Sequence, residues 1–216
     1  MRAGTGAAVL TGAAVLTGAA ILAAATGAPP AAAAAKTWTI RPGGAITAMA
    51  GKTTLADTPT GSMIPCASSR MSGTLKAGSG LAGAGIGSVT TAVYSNCHAA
   101  GFAPRLTARG LPWQLSLTSY DRATRVARGT ISHLQLGVAI AEFGCTAVIN
   151  ATSGAAHDGV VPVSYASKTG TLKLLATGGD LHWYHVHGCA GVVRNGDPAT
   201  LSASYAISPG QVITSP

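Results

Sequence analysis

The chain has 216 residues, of which only 9% are charged and 47% are hydrophobic, and it carries a formal net charge of +8. That length suits one domain with an ordinary core, and the scarcity of charge argues against a coiled coil or a polar disordered chain. The basic residues are scattered rather than massed, so the charge favours anionic partners in general without spelling a specific nucleic-acid binder.

Residues 1–35 begin with Met1-Arg2, continue through a weakly apolar stretch and reach Pro29-Pro30 and an alanine run. This is the charged, apolar and small-residue layout of a secretory signal peptide, with Ala33-Ala34-Ala35 as the cleavage site before Lys36. Export follows as an expectation. Without Arg2, thirteen basic residues face six acidic ones, for a net charge of +7 over residues 36–216. Those residues contain no apolar run of about 18, so no transmembrane span is expected once the signal is removed.

Residues 36–62 are polar and threonine-rich, and are read as an N-terminal arm or edge strand. From 63 to 216 short strand-like runs recur, each bounded by Gly, Pro, Asn or Asp. In chain order they are 71–77, 86–97, 104–108, 112–120, 129–140, 145–153, 160–167, 171–177, 181–189, 200–208 and 211–214. Alternation within the runs places Val89, Thr91 and Val93 on one face, Trp113, Leu115 and Leu117 on one face, and Leu134, Leu136 and Val138 opposite His133 and Gln135. The glycine-rich 78–87 segment reads as a loop. Arg122, Arg125 and Arg128 read as decoration of a hairpin turn. Regular strands with turn signals between them predict an all-β fold, a single antiparallel sandwich or barrel.

The four cysteines, Cys66, Cys97, Cys145 and Cys189, lie in the part that would be exported. An even count in such a chain reads as two disulfides. Three pairings are possible. Cys66–Cys97 with Cys145–Cys189 is preferred because sequential closure keeps both loops short, each contributing about 3–4 kcal/mol. No C-x-x-C pair is present to suggest a cysteine metal site.

The segment 182–189, HWYHVHGC, gathers three of the six histidines. Strand alternation would put Trp183, His185 and His187 on one face and His182, Tyr184 and Val186 on the other. Two imidazoles two residues apart can share a zinc or copper ion, with His182, Asp180, His133 or, more distantly, His98 or His157 completing the set. Trp183 or Tyr184 could instead contribute to a stacking surface for a ligand. The plain alternative is a partly exposed strand end beside a disulfide. Signatures of known hydrolases, G-x-S-x-G, S-x-x-K and H-E-x-x-H, are missing, and the carboxylates sit mostly in turn contexts.

Several stretches, Cys66 to Lys76, Pro112-Trp113, Gly188-Cys189-Ala190-Gly191, Gly196-Asp197 and Ile213-Thr214-Ser215, together resemble a group of secreted actinobacterial proteins of unknown function. The resemblance implies an exported all-β domain and supplies no mechanism. The sequence therefore leads to a non-catalytic extracellular or envelope-associated protein, with anionic cell-wall polymers as its partner class. Its alternatives are an extracellular zinc- or copper-binding protein using His185 and His187, and a secreted hydrolase of unrecognised type.

Overall fold

In the computed structural model, residues 36–154 and 157–216 are described. The expected signal peptide, residues 1–35, lies outside them. Fourteen strands account for almost all of the regular structure. They are β1 (Thr37–Arg41), β2 (Gly44–Asp57), β3 (Met63–Leu75), β4 (Gly78–Ala82), β5 (Gly87–Cys97), β6 (Arg105–Arg109) and β7 (Trp113–Asp121), followed by β8 (Val126–Ile140), β9 (Cys145–Asn150), β10 (Gly159–Ala166), β11 (Thr171–Leu174), β12 (His182–His187), β13 (Ala199–Ser208) and β14 (Val212–Thr214). A single 3-10 turn, Ala141–Phe143, joins β8 to β9.

Eight strands close an antiparallel barrel in the order β2-β3-β5-β7-β8-β10-β11-β13, with β13 returning to β2. Closure removes the free edges that an open sheet would leave. The long strand β8 makes the branching possible: its first half pairs with β7 and β10, and its second half with β6 and β9. β12 continues from β9 as the outermost strand of that branch. A second sheet, β14-β1-β4, brings Trp38, Ile40 and Ile213 into the same buried core. Ile213 faces a small space lined by Ile46, Leu75, Leu117, Tyr165 and Leu172 of the barrel, so this sheet stops one end.

The barrel resolves the choice between sandwich and barrel. Both preferred disulfides are formed, Cys66–Cys97 and Cys145–Cys189. The inward row Trp113, Leu115 and Leu117 is buried, as is Leu134, Leu136 and Val138. Arg122 and Arg125 lie in the β7–β8 turn.

Other expectations change. Residues 36–62 are not an arm or an edge: β2 is paired on both sides, with β13 and with β3, and its Thr53 and Leu55 are fully buried. Threonine is a good strand former because its branched Cβ suits the pleat, so its abundance there marks a strand rather than a loose segment. Within the 78–87 segment, Gly78–Ala82 form β4 and pair with β1. The expected face of β5 is split by a bulge. Gly73 pairs with Val89 but Ser72 pairs with Thr91, leaving Thr90 as the extra residue. Val89 points inward while Thr91 and Val93 point outward, and Ala92 and Tyr94 take the inner side. An inserted residue reverses every side chain beyond it. Gln135, expected opposite the core, is buried and donates to Asn150 Oδ1 at 2.9 Å.

Candidate functional site

The histidine-rich segment folds as β12 against β9, and a second bulge decides its chemistry. Tyr184 pairs with Val148 and His187 with Thr146, so His185 and Val186 together oppose Ala147. His185 takes φ +50, a left-handed conformation uncommon for a side-chain-bearing residue, though histidine tolerates it better than most. The bulge frees the Val186 N–H, which donates to Asn195 Oδ1 at 3.0 Å. Past the bulge the faces exchange. His187 shares the outer side of Tyr184 and Thr146, and His185 is exposed at the bulge itself. The strand therefore does not present His185 and His187 as a side-by-side pair. Among the described residues no three His, Cys, Asp or Glu side chains gather in a metal-holding group, so none of His98, His133 and His157 completes a set with the β12 histidines.

Trp183, a candidate for a ligand-stacking surface, is instead on the inner face, 2% exposed and packed in the core. Trp113 is equally buried, with its Nε1–H donating to Arg109 O at 2.8 Å. Neither ring is a stacking platform. Tyr184 is half-buried and its hydroxyl donates to Thr152 O at 2.7 Å, which pins the 151–154 turn to β12.

The structure does bring Asp180 and His182 together. Asp180 Oδ1 lies 3.2 Å from His182 Nδ1, and both touch the Thr152 hydroxyl. Thr152 also donates its backbone N–H to Asp180 at 2.9 Å. Partial burial would raise the Asp180 carboxyl, but the hydrogen bonds from Thr152 and the neighbouring His182 outweigh it and hold the carboxyl below its ordinary value. A catalytic relay needs carboxylate and hydroxyl on opposite nitrogens of the imidazole. Here both sit at Nδ1, and the threonine hydroxyl donates to the carboxylate rather than being activated. The arrangement works as a turn clasp.

The remaining carboxylates follow the same pattern. Asp57 accepts the N–H and hydroxyl of Thr60, Asp121 accepts the N–H groups of Ala123 and Thr124, and Asp197 accepts the Arg194 N–H. Asp158 accepts from the Ser153 hydroxyl and Glu142 from the Ala103 N–H. Hydrogen bonds from Thr124 hold Asp121 below its ordinary value. All six carboxylates thus accept hydrogen bonds: Asp57, Asp121, Asp158 and Asp197 from residues two to five positions away, Asp180 from Thr152 across 28 positions and Glu142 from Ala103 across 39. The one ion pair within 4.0 Å among the described residues is Asp180–His182, and Arg128 adds a longer-range attraction that helps lower Asp121. The thirteen Lys and Arg side chains of residues 36–216 are all exposed.

Part of that charge is organised by register. Arg70 on β3 pairs with Val93 on β5, which pairs with Thr107 on β6, and Arg105 and Arg109 flank Thr107 on the same outer face. Arg109 lies across Gly137, where a Cβ would come within 2.7 Å of its Nε. The glycine on β8 lets the guanidinium lie against the barrel wall.

At the disulfide end of the barrel a cleft of about 370 Å³ is lined by Lys52, Met63, Pro65, His98, Ala99 and Val192. A smaller apolar hollow beside it reaches Phe143, Trp183 and the Cys145–Cys189 bridge. Nothing in the sequence patterning marked this end, because its residues come from the ends of separate strands and from connections far apart in the chain.

No protein family, curated protein or solved structure matches this chain. The site geometry must carry the functional reading.

Proposed function

We propose that this protein is a non-catalytic extracellular or cell-envelope-associated binding domain that holds anionic wall polymers on its basic exterior. One observation carries the reading: thirteen exposed cations stand against six carboxylates, and among the described residues no Lys or Arg comes within 4.0 Å of a carboxylate, with Asp121 feeling Arg128 only at longer range. A fold that neutralised its own charge would pair at least some of them. Unpaired surface cations leave a positive field, which attracts polyanions and is screened within about 8 Å at physiological ionic strength. The Arg70, Arg105 and Arg109 face offers three guanidiniums over adjacent strands, each able to grip phosphate or carboxylate in bidentate fashion. Two disulfides fit an oxidising compartment, and the resemblance to secreted actinobacterial proteins points the same way.

The test is retention on immobilised poly(glycerol phosphate) across a salt series. Retention should fall steeply with salt, and Arg70→Glu/Arg105→Glu/Arg109→Glu should elute well before a variant carrying Lys168→Glu/Lys173→Glu. Salt-independent retention, or equal loss in both variants, would sink the assignment of the polymer to this face.

A further inference from the structure

Both phenylalanines of the chain are on the surface, and they touch each other. Phe102 and Phe143 are 40% and 39% exposed, with ring centroids 4.9 Å apart in an edge-on pair. Phe102 comes from the β5–β6 connection, where Ala99 and Phe102 exchange backbone hydrogen bonds. Phe143 comes from the 3-10 turn between β8 and β9. Met63, 60% exposed, and Val192, 50% exposed, adjoin them, since Met63, Phe143 and Val192 line one hollow. Among the described residues, four of the seven large hydrophobic side chains most exposed to solvent therefore share one end of the barrel.

This end is built to hold its shape. The Ser62 hydroxyl donates to Val192 O at 3.1 Å, and the Thr60 Oγ1, whose proton goes to Asp57, lies 2.8 Å from the same oxygen, which brings the β2–β3 turn against the 188–197 loop. The Cys66–Cys97 and Cys145–Cys189 bridges anchor the roots of the same loops. Around the apolar tip stand exposed cations, Lys52 in the cleft, Arg105 three residues after Phe102 and Arg194 two after Val192. Glu142 is next to Phe143 and accepts the Ala103 N–H at 3.4 Å, while Asp57 and Asp197 at the same end are held by Thr60 and by the Arg194 N–H.

We propose that this tip docks onto an anionic lipid bilayer, its two aromatic rings entering the interface while the surrounding cations meet the headgroups. Aromatic side chains favour the headgroup level of a membrane, and a ring of cations adds attraction to anionic lipid. The charge complementarity selects a lipid surface over a neutral apolar partner. Arg105 borders both the tip and the wall face proposed for the polymer, but the two rings belong to the tip alone, so the Phe variant separates the two activities.

The experiment is cosedimentation of the purified protein with vesicles of phosphatidylglycerol and phosphatidylcholine in equal parts, and with phosphatidylcholine alone, at low salt. Binding should require the phosphatidylglycerol. Phe102→Ser/Phe143→Ser should weaken it by about tenfold while the far-UV circular dichroism stays that of the parent, because both side chains lie in connections outside the strands of the barrel. Met49→Ser/Val93→Ser, which strips exposed apolar side chains from the barrel wall, should bind as the parent does. Absence of binding to the anionic vesicles, or binding indifferent to Phe102→Ser/Phe143→Ser, overturns the proposal. So does a dimer in solution that the Phe variant dissociates without altering vesicle binding. Retention on poly(glycerol phosphate) should survive in the Phe variant; parallel loss of both activities would also overturn a separate lipid tip.

Discussion

Replacing Cys145 and Cys189 with alanine opens a ring that spans 44 residues, and replacing Cys66 and Cys97 opens one of 31. A crosslink stabilises mainly by removing freedom from the unfolded chain, with a cost that grows as the logarithm of ring size. That scaling gives about 4.0 kcal/mol for the larger ring and about 3.7 kcal/mol for the smaller. The rings do not overlap along the chain, so the two losses should add, to about 8 kcal/mol. A domain is stable by about 5–15 kcal/mol, so one pair can be lost and both together bring the fold to its threshold. For a chain of this length each single loss corresponds to a fall in Tm of about 8–16 °C. Equilibrium urea unfolding followed by circular dichroism is the appropriate assay, because it reports the midpoint and the slope separately. The slope should steepen as the released chain expands. A loss below about 1 kcal/mol for either pair, or a quadruple variant no weaker than its parents, would refute the argument. It would mean that the unfolded chain is already confined without its crosslinks.

The three other predictions concern single side chains. Trp113 donates its indole N–H to Arg109 O, whereas the Trp183 Nε1 is buried without a partner; Trp113→Phe should therefore cost about 1–2 kcal/mol more than Trp183→Phe in chemical denaturation, and the reverse order would show that Trp183 has a partner after all. A Cβ on Gly129 would lie 1.9 Å from the Ser116 carbonyl oxygen in the neighbouring strand, while one on Gly51 meets nothing within 4 Å. Gly129→Ala should lose about 3 kcal/mol and Gly51→Ala less than about 0.5 kcal/mol, read as melting shifts. Burial holds the Tyr94 hydroxyl well above its ordinary value of 10.0, with Tyr205 adding to the effect. The folded state thus keeps a proton that the unfolded state releases. This contribution is complete below pH 10 and lost as pH rises above it, so Tyr94→Phe should flatten the alkaline fall in stability seen in a pH series of urea midpoints.

Strand positions were legible because each run is bounded by turn residues, and the cysteine pairing followed because neighbouring cysteines in sequence lie on strands that neighbour in space. Cys66 and Cys97 sit directly opposite each other in the β3–β5 ladder. What alternation could not show is where it is interrupted. The extra residues at Thr90 and at His185–Val186 carry no local signature; they exist because the partner strand is one residue shorter at that level. Two histidines on a common face became two histidines on different aspects of a bulge for that reason alone. The role of β2 was hidden in the same way, since its polar threonines read as solvent-facing until Thr53 meets Ser69 inside the barrel. The Asp180–His182 contact needed only adjacency, but its Thr152 partner comes from 30 residues earlier in the chain. The apolar tip was out of reach of any periodicity, being assembled from three connections and the first residue of β3.

The pairing that closes the barrel joins the beginning of the domain to its end. β13 lies beside β2, with Ser208 opposite Thr47 and the Thr47 hydroxyl contacting Ser208 O across 161 positions. The end sheet reaches further, with Ser215 bonded to Thr37 O across 178. Contacts so distant in sequence slow the search for the native state. They also set its timing during synthesis: until the last residues have left the ribosome, β2 lacks the neighbour that completes the ring, and the chain travels as an unfinished sheet. Its earliest strands wait for its latest.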